Sequence, residues 1–104
     1  MSLVIEDIAY FIKVSETKNM TRASESLGVS QPTLSYAMKR LESQLDGELM
    51  IRLKNGVELT KLGEDFLKQS QKILFEWQEL KKIVKPGGVL VIGEGYWKKK
   101  PEPE

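Results

Sequence analysis

NMTRASESLGVSQPTLSYAMKRLESQL, residues 19–45, has the pattern of two helices joined by a tight turn, the second shaped to lie against something outside the protein. Asn19 is a good N-cap. Met20, Ala23, Ser24 and Leu27 follow at the i, i+3, i+4, i+7 spacing of one buried helical face. Gly28 ends the first helix by supplying the left-handed residue that a helix C-terminus often uses, and Val29 is placed to pack back on the last turn. Ser30 is a second N-cap, with Pro32 in the first turn, where a missing N–H is tolerated. In the second helix Leu34, Met38, Leu41 and Leu45 fall within about 60° of one another at ~100° per residue and form the inward stripe. Pro32, Ser35, Tyr36, Lys39, Arg40 and Ser43 fall on the far side, and Gln31 projects from the N-terminal end. No acidic side chain interrupts residues 31–41. Gln, Ser, Thr and Tyr at the front of such a helix suit the base edges of a major groove, and the Lys-Arg pair behind them suits phosphates. The turn and the helix lengths fit a helix-turn-helix.

The flanking segments extend this unit. Residues 5–16 predict a first helix, with Ile8, Phe11, Ile12 and Ser15 on one face, Val14 beside it, and Glu6 and Asp7 favouring its N-terminal turn. After Leu45, Asp46-Gly47 signals a turn. RLKNGVELT, residues 52–60, predicts a hairpin turning at Asn55-Gly56, where both residues accept positive φ. Val57 and Leu59 alternate with Glu58 on the returning strand. A hairpin in this place is the wing of a winged helix, and Arg52 and Lys54 put two cations on it. Thr60 caps a long helix expected over residues 61–84, roughly 36 Å at ~1.5 Å per residue. Gly63 in its first turn weakens a helix and so marks close backbone packing. Leu62, Phe66, Ile73, Trp77, Leu80 and Val84 make one apolar stripe, Leu67 and Leu74 a second, and Phe75 lies off both. A helix apolar on more than one side must bury more than one side. One side covers the winged helix, and the other calls for a second copy of the chain; the alternative is the core helix of a monomer. Lys85-Pro86-Gly87-Gly88 stops the helix, residues 89–92 (VLVI) suit a short buried strand, and residues 93–104 are turn-rich and charged.

Composition narrows the chemistry. A chain of 104 residues, 40% apolar, holds one small domain and an appended element, with a core that gains from pairing. Cys and His are both absent, which removes disulfides, thiolate nucleophiles, Cys-based zinc sites, and the commonest general base and metal ligand. No catalytic residue, metal or cofactor is expected. No apolar run is long enough for a transmembrane helix, and MSLVIEDIAYF lacks the basic start of a signal peptide, so the expected location is cytoplasmic. The net charge is only +1. Residues 1–60 carry seven Lys/Arg against eight Asp/Glu, so a nucleic-acid reading rests on where the cations sit and not on their sum.

The residues also carry a family resemblance. Tyr10-Phe11, the run Ala23, Leu27, Ser30, Gln31, Pro32, Leu34, Ser35, then Leu41-Glu42, Leu45, Leu49 and Arg52, and finally Val57, Leu59, Thr60 and Gly63 stand at the spacing of the N-terminal part of a LysR-type transcriptional regulator. The match extends over about residues 3–84. The resemblance implies a mainly α fold: a winged helix-turn-helix over residues 1–60 (helix-turn-helix about 20–40, wing about 52–60), then a linker helix over 61–85 that dimerises. It also implies operators of interrupted dyad form and a C-terminal effector-binding domain, of which residues 86–104 would be a stub or tail. Small-molecule effectors would then belong only to a full-length form. Ser24, Tyr36, Asp46, Met50 and Asn55 depart from the usual Ala, Arg, Gly, Phe and Arg of the family. With the helical wheel, the resemblance assigns Gln31, Pro32, Thr33 and Tyr36 to base edges, and Thr21, Ser35, Lys39, Arg40, Arg52 and Lys54 to phosphates. Phe66, Leu67, Ile73, Leu74, Trp77, Leu80 and Val84 are assigned to dimerisation, with a tetramer as a further possibility.

Two other classes stand beside this one. In one, the long helix is a protein-interaction surface and the winged helix its scaffold. In the other, an enzyme would have to work with Glu6-Asp7 or Glu64-Asp65, which solvation on helix surfaces explains. Binding of duplex DNA by a dimer is the main expectation.

Overall fold

The computed structural model describes residues 3–83. Its elements run α1 (Ile5–Thr17), α2 (Met20–Leu27), α3 (Gln31–Leu45), β1 (Met50–Leu53), β2 (Gly56–Leu59) and α4 (Lys61–Lys81). The first three helices build the core. Ile8, Phe11, Ile12 and Val14 of α1 meet Met20 and Ala23 of α2, and Leu34, Ala37, Met38 and Leu41 of α3; Leu49, Met50 and Val57 close it from the wing side. Burying each large side chain of this set contributes about 1.5–3 kcal/mol. The helix boundaries follow local chemistry. The Asn19 side chain accepts the backbone N–H of Arg22 at 2.9 Å, and Ser30 Oγ accepts that of Thr33 at 3.2 Å, so both N-caps are occupied as expected. Gly28 ends α2 in the left-handed region (φ 72), and Val29 N–H returns to the Ser24 carbonyl at 3.0 Å. Asp46, standing where the family commonly has Gly, takes the left-handed position itself (φ 56).

The wing is a two-stranded antiparallel hairpin with Met50 opposite Leu59 and Leu53 opposite Gly56. It starts two residues earlier than the expected 52–60, because Met50 is buried in the core and brings β1 with it. The turn also differs from expectation. Its central residues are Lys54 and Asn55, neither with positive φ, and Gly56 is the first residue of β2 (φ 157). Here Gly56 answers a different need: a Cβ there would lie 2.7 Å from the Lys18 carbonyl oxygen, which accepts the N–H of Val57 at 3.0 Å. The turn end of the wing is thus sewn to the α1–α2 connection.

Thr60 starts α4 with both its groups. Its N–H donates to the Leu49 carbonyl at 3.0 Å, and its hydroxyl donates to the Glu48 carbonyl at 2.6 Å while accepting Gly63 N–H at 2.9 Å. Gly63 marks close packing, as its sequence position implies: a Cβ there would fall 2.0 Å from the Leu49 carbonyl oxygen. The chain divides into compact units Met1–Leu74 and Phe75–Glu104, so the first part of α4 belongs with the winged helix. Within that unit Phe66, Leu67 and Leu74 pack against the core, with the Phe66 ring 5.5 Å from that of Phe11. These three residues, assigned to dimerisation in sequence, are thus partly buried against their own chain's core. Ile73 is 42% exposed. In the second unit Trp77 and Leu80 are half-buried and Phe75 is exposed. Val84, the expected strand at residues 89–92 and the tail lie outside the described residues.

Candidate nucleic-acid interface

The front of α3 is open. Gln31, Pro32, Thr33, Tyr36 and Lys39 are all exposed, Tyr36 to 67%, and they share the side opposite the buried stripe of Leu34, Met38 and Leu41. The sequence dictates this: apolar residues at i, i+4, i+7 turn inward, and the intervening polar ones are left outside. Local hydrogen bonds hold the exposed edge in order. Ser30 Oγ donates to Thr33 Oγ1 at 2.9 Å. Gln31 Nε2 donates to Thr21 Oγ1 at 3.0 Å, joining the front of α3 to the front of α2. Lys39 forms no ion pair among the described residues.

The wing supplies a second row. Arg52 Nη2 donates to Ser35 Oγ at 2.6 Å, which sets the β1 guanidinium beside α3. An open groove of about 540 Å³ runs between them, lined by Ser35, Met38, Lys39, Glu42, Glu48 and Arg52 among others. Lys54 is exposed in the turn, lining a second groove with Thr21 and Arg52. Thr21, Gln31, Ser35, Lys39 and Arg52 therefore stand along the α2–α3–wing side of the domain. Such a surface offers amides and hydroxyls to neutral polar edges and ammonium and guanidinium groups to anions.

Arg40 has a partner inside its own chain. Its Nε donates to Asp7 Oδ2 at 2.7 Å and its Nη2 to Asp7 Oδ1 at 2.8 Å. This bidentate fork closes on a carboxylate that is 1% exposed. The hydrogen bond to Asp7 raises the Arg40 pKa above its ordinary value. The guanidinium also sits 5.1 Å from the centroid of the Tyr36 ring. Expected as a phosphate contact, Arg40 is a tie between α1 and α3, because a buried carboxylate must be paired.

Two residues at this site escaped the sequence reading. In sequence Asp7 reads as an acid favouring a helix N-terminus, yet it shares the i, i+4, i+7 line of Phe11 and Val14; an acid on a core-facing line demands a cation. Glu42 had no role, yet its Oε2 accepts the backbone N–H groups of Leu49 at 2.8 Å and Met50 at 3.4 Å. It thereby positions the start of β1 against α3. Nothing in the pattern of α3 shows that its donors are backbone N–H groups of the following segment. No cluster of three or more acidic side chains able to hold a metal occurs among the described residues, and no described helix is long and apolar enough to cross a membrane.

Comparison with known proteins places this geometry. The chain is 46% identical over 67 residues to the HTH-type transcriptional regulator BudR of Klebsiella aerogenes, covering 64% of this chain and 47% of that protein. It is 37% identical over 86 residues to the malolactic fermentation system transcriptional activator of Lactococcus lactis, covering 81% of this chain and 30% of that one. The chain thus spans less than half the length of these relatives. Among solved structures, the DNA-binding domain of CbnR in complex with DNA superposes with a TM-score of 0.74 at 35% identity, covering 77% of this chain and 92% of that one. A full-length OxyR variant from Pseudomonas aeruginosa gives 0.75 at 33% identity, over 79% of this chain and 28% of that one. Residues 5–64, from the start of α1 to the first turn of α4, match the bacterial regulatory helix-turn-helix proteins of the lysR family, and the chain belongs to that family.

Proposed function

We propose that this chain binds double-stranded DNA in a sequence-specific manner as a dimeric regulator of transcription, and has no catalytic role of its own. The observation that carries this reading is the exposed edge of α3, running from Gln31 to Lys39 with no acidic group on it, flanked by Arg52 from the wing. The DNA-bound state of its structural relative CbnR supports the same reading. Gln31, Pro32, Thr33 and Tyr36 read base edges, where a Gln side chain pairs bidentately with adenine and the proline ring meets a thymine methyl. Thr21, Ser35, Lys39, Arg52 and Lys54 lie against phosphates and fix register. Arg40 leaves this set, since its fork is closed on Asp7.

Residues 1–60 form the DNA-binding part, and α4 is the linker through which two copies pair. Pairing uses Ile73, Trp77 and Leu80, while Phe66, Leu67 and Leu74 are partly buried against the chain's own core. The operator has interrupted dyad form, two half-sites matching two copies of α3. Any small-molecule response requires an effector-binding domain, and the site of action is the cytoplasm.

Selection from a random duplex library, repeated at two salt concentrations, tests the proposal. Affinity should fall steeply with salt as phosphate contacts release counterions. Gln31→Ala should lose about 1–3 kcal/mol of discrimination at one base pair, while Lys39→Ala should weaken all duplexes alike. Equal losses on every duplex for both variants would overturn the division between base and phosphate contacts. A chain that sediments as a monomer at micromolar concentration and shows no salt-dependent binding would favour the protein-interaction reading of the long helix instead.

A further inference from the structure

Tyr36 is the largest exposed side chain on the α3 edge, yet an exposed aromatic ring on a helix has rotamer freedom unless something holds it. Here something does. The Arg40 guanidinium lies 5.1 Å from the ring centroid, one helical turn behind it. Arg40 is itself fixed by the bidentate bond to Asp7 at 2.7 and 2.8 Å, and Asp7 is buried in α1, far in sequence from the edge. We infer that Asp7 is a positioning residue for base selection: through Arg40 it clamps the Tyr36 ring in the pose that meets the DNA, so a carboxylate with no access to DNA sets the preference at one base pair.

The inference rests on the proposed reading of duplex DNA by α3. Physically, three links make the chain. Burial forces Asp7 to find a cation. The planar fork of Arg leaves one orientation in which both of its bonds to a carboxylate form, which lysine cannot reproduce. A guanidinium so fixed attracts the face of the aromatic ring. The same pair withholds a cation from the phosphates. Arg40 sits one turn beyond Tyr36 and beside Lys39, and it would reach toward the backbone if released.

Asp7→Asn tests both consequences in the full 104-residue chain. The amide keeps the shape but gives up the charge. Discrimination at the base pair that Tyr36→Ala also affects should fall about fivefold or more. The slope of log affinity against log salt should steepen by about one unit as freed Arg40 finds a phosphate. In a Tyr36→Ala background, Asp7→Asn should change base preference no further, since the ring it acts through is gone. Arg40→Lys should show the same loss of discrimination with the charge retained. If Asp7→Asn compromises folding, the pair Asp7→Leu with Arg40→Met replaces the ion pair by apolar groups; it should restore thermal stability and still relax the preference at that base pair. Unchanged base preference in folded Asp7→Asn, or in the double substitution, overturns the inference. So does a relaxation of Asp7→Asn that persists in the Tyr36→Ala background. If Tyr36→Ala itself alters no base pair while Gln31→Ala does, the clamp on base selection is refuted and the general DNA-reading proposal survives. If neither variant matters, the proposal itself fails.

Discussion

The two ends of α3 are built from opposite materials. Its first turn is open, and its side chains bond to one another or to the front of α2 through neutral groups: Ser30 to Thr33 and Gln31 to Thr21. Its C-terminal end is moored by charges. Arg40 closes on Asp7 of α1, and Glu42 accepts two backbone N–H groups at the root of β1. Both ends share one buried stripe, yet only one is fastened to other elements by ionic bonds. The difference shows how a single helix serves as both foundation and probe: neutral bonds that break cheaply against water leave the front free to exchange partners, while charge-assisted bonds hold the back.

If the contrast holds, substitutions at the back should cost stability and those at the front should not. The largest loss is expected for Leu41→Ala, which empties a fully buried position at the moored end and should destabilise by about 3 kcal/mol, read by urea denaturation. Glu42→Ala removes the acceptor of the buried Leu49 N–H and should cost about 2 kcal/mol by the same measurement; a change near zero would mean that water replaces the carboxylate there. A smaller effect has the opposite sign. Asp46 closes α3 in the left-handed region, with its carboxylate near the negative end of the helix dipole. Asp46→Gly relieves both and should raise stability by about 0.5–1 kcal/mol, seen as a higher midpoint of thermal unfolding. At the front, the Gln31→Ala variant used to test DNA recognition should stay within about 0.5 kcal/mol of the parent in stability. A larger loss would show that the bond to Thr21 is part of the foundation.

Much of this architecture was legible in local pattern. The two N-caps, the left-handed Gly28, the inward stripe of α3 and the crowding at Gly63 each depend on one or a few neighbouring residues, and sequence spacing displays those directly. What escaped depends on partners distant in sequence. Asp7 and Arg40 meet across 33 positions, and each taken singly resembles a solvated charge. The turn of the wing moved because the Asn-Gly signal records which residues accept positive φ, whereas Gly56 is required by the approach of the Lys18 carbonyl. The two stripes of α4 were visible, but the face packed on the chain's own core draws from both: Phe66 of one against Phe11, with Leu67 and Leu74 of the other partly buried beside it.

At Gly63 the backbone of α4 rests on the carbonyl of Leu49 with no room for a methyl group, and Thr60 pins the same segment through its N–H and hydroxyl. Leu49 immediately precedes β1. The first turn of α4 and the segment leading into the strand that carries Arg52 therefore form one rigid joint, which Glu42 in turn fastens to α3.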